Sequence, residues 1–189
     1  MGPMMMEAKL DRQTILQALS LLNDELRKGE AIGEICIFGG ATMILAFDGQ
    51  FATRDVDAIF VPKGKVTDAI ARIADQMDLP EAWLNDGVKG GLSSKEDFTT
   101  SDMPQFENLR VLRPTAEYLL AMKCLASRVA SYGARGDLRD IWSLCQHLNL
   151  TEVEQVVAVI LNYYPESEVS TKARYFVEEI LQEGAAGNL

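Results

Sequence analysis

The stretch from Ile35 to Val61 constrains this chain most. Ile35-Cys36-Ile37-Phe38 is a short apolar run that stops at Gly39-Gly40, which reads as a buried strand. Ala41 to Phe47 is apolar with one threonine and fits a buried helix, closed by the turn signal Asp48-Gly49. Thr53-Arg54-Asp55-Val56-Asp57-Ala58-Ile59-Phe60-Val61 then reads as a second strand, stopped by Pro62-Lys63-Gly64. Side chains alternate along a strand with a period of two, so Asp55 and Asp57 are predicted on one face. Two carboxylates held that close repel each other and resist burial. A divalent cation resolves the conflict, because oxygen ligands on a rigid strand suit Mg2+ bridging to the phosphates of a nucleotide.

The rest of the chain completes an α/β pattern. Ile15, Leu16, Leu19, Leu22 and Leu26 recur at helical spacing from about Leu10 to Leu26, and Gly29 offers a stop. Val66 to Met77 carries Ile70, Ile73 and Met77 in phase and predicts an outer helix before Pro80. Strand, helix, strand, helix with short connections predicts a small sheet with helices packed on it. Glu81 to Phe106 is loop chemistry, with Asn85-Asp86-Gly87, Gly90-Gly91 and Ser93-Ser94, and Asn108 to Arg113 reads as one more strand.

After Pro114 the pattern becomes helical. Helices are predicted over Thr115 to Tyr132 and Asp137 to Leu148, with Gly133 and Gly136 at a break between them. A third starts at Thr151 with Glu154 completing a capping box and ends at Pro165, and a fourth spans Ser170 to Gln182. The expected organisation is an α/β core over 1–113, with its N-terminal helix, and a helical region over 114–189.

Composition limits the function classes. The chain has 189 residues, 48% hydrophobic and 24% charged, and a formal net charge of -10. That charge argues against wrapping nucleic acid through a broad basic surface, though contact with an RNA end or a nucleotide is allowed. Cys36, Cys124 and Cys145 are scattered through apolar runs and read as reduced core residues, which implies a cytoplasmic setting. His147 is the only histidine, which makes a His-rich zinc site implausible; it is read as a helix-end residue. Met1 to Met6 reaches Glu7 and Lys9 too soon for a signal sequence, and no apolar stretch approaches the roughly 20 residues of a membrane helix.

Gly39-Gly40 at a strand end lets the backbone turn sharply and lets a phosphate approach the amides of the following helix. The pair is neither a Walker A loop nor a Rossmann fingerprint, since the residues that complete those are missing. In the second half, Lys123 is the single charge within Tyr118–Ala126. Asp137 and Asp140 fall on the apolar stripe shared with Ile141 and Leu144. Inward-facing carboxylates need partners, and Lys123 and Arg128 are the natural ones.

Taken together, these pieces resemble the DNA polymerase β-like nucleotidyltransferase superfamily. The resemblance rests on Gly39, Gly40, Thr53, Asp55, Val56 and Asp57. It is extended by Leu119-Leu120-Ala121-Met122-Lys123-Cys124-Leu125-Ala126-Ser127-Arg128 and Gly136-Asp137-Leu138-Arg139-Asp140-Ile141. The second segment looks like that of small bacterial relatives of the AbiEii toxins and of an unknown-function family. The resemblance covers roughly Ile35 to Leu148.

It implies a minimal nucleotidyltransferase fold, a small mixed sheet flanked by helices, with Asp55 and Asp57 as metal ligands for Mg2+ and an NTP as substrate. Gly39, Gly40, Thr53, Lys123 and Arg128 would contact the nucleotide, and Asp137 or Asp140 would complete the polar site. The implied acceptor is an RNA end or a protein hydroxyl, and the implied partner a cognate toxin or antitoxin in a phage-defence setting.

Two departures stand out. The usual hydroxyl residue is replaced by Gly40. The third carboxylate of catalytic members has only Glu107 as a positional candidate, while Asp86, Asp97 and Asp102 are loop residues. The alternative is therefore a catalytically inactive module that kept the fold and binds a nucleotide or partner; an acidic interaction protein is a third reading. Plain readings exist for each residue: a solvated strand edge for the two aspartates, a surface lysine for Lys123, and a first helical turn for Asp137 and Asp140. Trp83-Leu84-Asn85-Asp86 reads as a packed tryptophan before a turn, and Tyr163-Tyr164 as core.

Overall fold

The computed structural model describes residues 9–47, 49, 52–90, 92–127 and 135–189. In chain order the elements are β1 (Leu10–Asp11), α1 (Arg12–Lys28), β2 (Gly33–Ile37), α2 (Gly39–Ala46), β3 (Ala52–Thr53), β4 (Val56–Val61) and α3 (Lys63–Met77). They continue with β5 (Leu84–Asn85), a 3-10 turn at Gly87–Gly90, β6 (Phe98–Thr99), β7 (Leu109–Pro114), α4 (Ala116–Ser127), α5 (Arg135–His147), α6 (Val153–Leu161) and α7 (Thr171–Ala185). The fold is mixed α/β, as the sequence pattern predicts. Two compact units share the chain, one built from 1–88 and 100–113, the other from 89–99 and 114–189. Residues 89–99 thus group with the helical half, although they precede the composition change at Pro114.

In the first unit, strands run in the order β5-β4-β2-β7. β2 pairs antiparallel with β4, while β2–β7 and β4–β5 are parallel. Ile35, Ile37, Val56, Ala58, Phe60, Leu109 and Val111 alternate onto one buried face of this sheet. The same core takes Ile15, Leu19, Leu22 and Leu26 of α1 with Val66, Ile70 and Ile73 of α3. Each such buried side chain contributes roughly 1.5–3 kcal/mol of burial free energy, so the apolar stripes seat these helices. α1 starts on Asp11, whose carboxylate accepts from Thr14 N at 2.8 Å. At the end of α2, Arg12 donates to the carbonyls of Ile44 and Leu45 at 2.7 and 2.8 Å.

Four local expectations are corrected. Thr53 is not on the strand with Asp57. It lies in β3, which pairs with β1 through Leu10, and Arg54 and Asp55 separate it from β4. The capping box of α6 is one residue later than predicted and uses Gln155 in place of Glu154: its side-chain carbonyl accepts from the N–H groups of Thr151 and Glu152. That helix ends at Leu161, ahead of Pro165. Gly136 is inside α5 and does not flank a break. Arg128, Gly133 and the expected continuation of α4 to Tyr132 lie outside the described residues.

In the second unit α4 packs against α5 and α6, and α7 against α5 and α6. A strap from Ser93 to Thr99 is tied to it by polar contacts. Ser93 N donates to the Tyr118 hydroxyl at 2.9 Å, and the Ser93 hydroxyl donates to the Tyr163 carbonyl. Asp97 accepts from Thr115 at 3.0 Å and Tyr163 at 2.7 Å. Tyr163 stacks on Tyr118 and Tyr164 is buried, so this pair has the core role expected of it. Burial raises the Tyr163 hydroxyl to about 12, which keeps it a neutral donor to Asp97. Cys36, Cys124 and Cys145 are buried thiols outside any disulfide. Among the described residues no helix is long and apolar enough to cross a membrane.

Candidate metal and phosphate site

At the end of β2 the backbone turns directly into α2. Gly39 makes that turn with φ +61, a left-handed conformation that L side chains adopt only at a cost. A Cβ added there would sit 3.6 Å from Asp57 Oδ2, so the glycine opens the space between the helix start and the carboxylate. Phe38, the N-cap of α2, gives no side-chain hydrogen bond to the first amides. Gly40 follows as the second residue of the helix. Gly39→Ala is expected to destabilise the chain by about 1–2 kcal/mol, read by urea denaturation, because alanine must take the left-handed geometry.

β4 brings Asp57 to this point through its pairing with β2. Phe38 N donates to Asp57 O at 2.9 Å, and Ile37 pairs with Ala58. Ala58 faces the core, so Asp57 faces the opposite side, half-buried. Asp55 sits immediately ahead of β4 and is also half-buried. Burial first, then repulsion from Asp55, push the Asp57 carboxyl above its ordinary range, while the Asn85 amide pulls it back. The charge of Asp55 is therefore close enough to act on Asp57, and the Asn85 amide reaches both.

Sequence reasoning missed two members of the site, Asn85 and Gly87. β5 pairs with β4 so that Asn85 is level with Asp57. Its Nδ2 donates to Asp55 Oδ2 at 3.1 Å, and its Oδ1 accepts from Gly87 N at 2.8 Å. A Cβ on Gly87 would meet Asn85 Oδ1 at 2.7 Å and Asp57 Oδ1 at 3.1 Å, so a side chain there would push the Asn85 amide from its place. An Asn-Asp-Gly turn thirty residues downstream carries no sign of this. Asp86, the middle residue, pairs with Lys63 at 2.9 Å on the surface.

Among the described residues, no third carboxylate joins the pair. Among the described residues no cluster of three His, Cys, Asp or Glu side chains is arranged to hold a metal. Glu107 is exposed just before β7, at the end where Leu109 pairs with Gly33. That is the far end of β2 from Ile37, about 13 Å away at strand rise. The β7 residues on the Asp57 face are Arg110, which pairs with Glu34 at 2.9 Å, Leu112 and Pro114. Asp102 is engaged with Arg113 at 3.1 Å.

The site still fits a divalent cation of the magnesium type. Mg2+ keeps several waters and is held by one or two carboxylates plus substrate phosphates, without a full protein cage. Two half-buried carboxylates beside a glycine-opened helix start meet that description.

Lys123, Asp137 and Asp140 come together within the second unit. Lys123 is only 8% exposed and Asp140 only 1%, and their ion pair is 2.8 Å long. Asp137, in the first turn of α5, accepts from Lys123 at 3.2 Å. Lys123 is therefore the buried partner of both aspartates and not a surface lysine. His147 is in the last turn of α5, the helix-end position expected for it. Compared with known proteins, the chain matches no family model, no curated protein and no solved structure, so the chemistry of the site is read from its own residues.

Proposed function

We propose that the chain is a Mg2+-dependent nucleotidyltransferase that moves an NMP from an NTP to a hydroxyl on an RNA end or a protein. The observation that carries this reading is the meeting of Asp55 and Asp57 with the left-handed Gly39 at the start of α2. Asp55 and Asp57 would hold the ion, and Asn85 fixes one of them. Bound there, Mg2+ supplies charge neutralisation for the triphosphate and polarises the α-phosphorus for in-line attack. Gly39 and Gly40 leave the first amides of α2 open to a phosphate oxygen, with the helix dipole behind them. The reading depends on the first unit alone; Lys123 is already engaged by two carboxylates of its own unit.

The test is transfer of label from an α-labelled NTP in the presence of Mg2+. Transfer is expected with the unaltered chain and is expected to vanish in Asp55→Ala. Undiminished transfer in that variant removes the assigned role.

A second reading is favoured by one observation: among the described residues no third His, Cys, Asp or Glu side chain joins Asp55 and Asp57 in a metal-holding group. Under it the chain binds a metal–nucleotide complex and turns nothing over. Calorimetry separates the two: nucleotide binding that depends on Asp55, with no labelled product across RNA and protein acceptors, selects the second.

A further inference from the structure

We infer that Asn85 is the positioning residue of the cation site, turning Asp55 so that one carboxylate oxygen is held and the other is presented to the ion. The inference rests on the reading above that the aspartate pair takes a divalent cation.

The chain goes to some length to place this side chain. Trp83 is fully buried, and its indole N–H donates to the Ile70 carbonyl at 3.1 Å. The Trp83 carbonyl in turn accepts from Val56 N at 2.7 Å. These two contacts lock β5 against β4 in the register that sets Asn85 beside Asp57. The amide is then oriented by Gly87: a backbone N–H needs an acceptor, so Oδ1 faces Gly87 and Nδ2 must face the carboxylates. Nδ2 donates to Asp55 Oδ2 at 3.1 Å. The asparagine amide supplies an acceptor for the turn on one atom and a donor for the carboxylate on another.

The consequence is chemical. A carboxylate with one oxygen held by a donor ligates a cation through the other, in the one-oxygen mode that near-octahedral Mg2+ takes. Ca2+ also accepts both oxygens of a carboxylate. Hydrogen-bond partners of this kind typically change metal affinity ten- to a hundredfold. Asn85 is thus expected to set both affinity and the preference for the smaller ion.

The experiment is a titration of the full metal-free chain with Mn2+, followed by Mn2+ displacement with Mg2+ and with Ca2+, all without nucleotide. Asn85→Ala is expected to bind Mn2+ ten- to a hundredfold more weakly and to lose part of the preference for Mg2+ over Ca2+. Wild-type affinity and an unchanged Mg2+ to Ca2+ ratio in Asn85→Ala overturn the role of Asn85 and leave the cation site standing. Absence of Mn2+ binding by the unaltered chain, or binding untouched by Asp57→Asn, overturns the site itself and this inference with it. Should Asn85→Ala not fold, Asn85→Asp keeps the acceptor for Gly87, replaces the donor by an acceptor and adds a negative charge beside Asp55. It is expected to melt lower without metal and to gain more from Mn2+ than the unaltered chain; an unchanged pair of melting temperatures overturns the inference.

Discussion

Lys123→Ala is expected to destabilise the protein by about 3–5 kcal/mol, because it removes the ammonium from a buried ion pair. Asp140 is 1% exposed and pairs with Lys123 at 2.8 Å. A loss of this size is a large fraction of the 5–15 kcal/mol typical of a folded domain. The second contact is far weaker in its effect. The Asp137 side chain is 44% exposed, so Asp137→Asn is expected to cost less than about 1 kcal/mol. Lys123→Met combined with Asp140→Leu removes both charges, and such replacements by apolar residues are often neutral. That pair is expected to recover most of the stability lost in the single variant. Denaturant titrations followed by circular dichroism measure all three. A Lys123→Ala chain within 1 kcal/mol of wild type removes the buried pair as a determinant of stability.

This pair was legible in the sequence for a definite reason. Asp137, Asp140, Ile141 and Leu144 share one helical stripe, and a charge on an apolar stripe demands a partner. The α1 helix was legible on the same ground, its five apolar positions recurring at helical spacing until Gly29. The closeness of Asp55 to Asp57 was legible in their spacing, even though Asp55 sits one residue ahead of β4.

What escaped the sequence is the part set by pairing between distant strands. β5 is two residues long, too short for any periodicity to announce it, and its register depends on Trp83 reaching Ile70. Asn85 and Gly87 therefore looked like ordinary turn residues. Thr53 failed in the opposite sense: it continues a run that reads as one strand, yet the backbone breaks at Arg54 and Thr53 pairs with Leu10. Glu107 looked well placed along the chain, but the parallel pairing of β2 with β7 puts it at the wrong end of the sheet. Linear order cannot show which end of a strand a residue will share with another.

Asp57→Asn is expected to abolish divalent-cation binding while making the metal-free protein more stable. Asp57 is held above the ordinary carboxylate range by burial and by the charge of Asp55, so its ionised form is a cost of the fold. Its folded form binds a proton more tightly than its unfolded form. The unaltered, metal-free chain therefore loses stability as pH rises from about 4, the ordinary carboxylate value, through the raised one. Asparagine keeps the shape and removes the charge, so this slope is expected to flatten and the melting temperature at neutral pH to rise. Mg2+ should raise the melting temperature of the unaltered chain, by supplying the charge that the pair lacks, and leave that of Asp57→Asn where it was. A carboxylate with a purely structural role predicts the reverse, a variant that melts lower and a metal that changes nothing. Thermal denaturation of both chains at two pH values, with and without Mg2+, decides between them, since strain relieved only by a ligand marks a residue kept for binding.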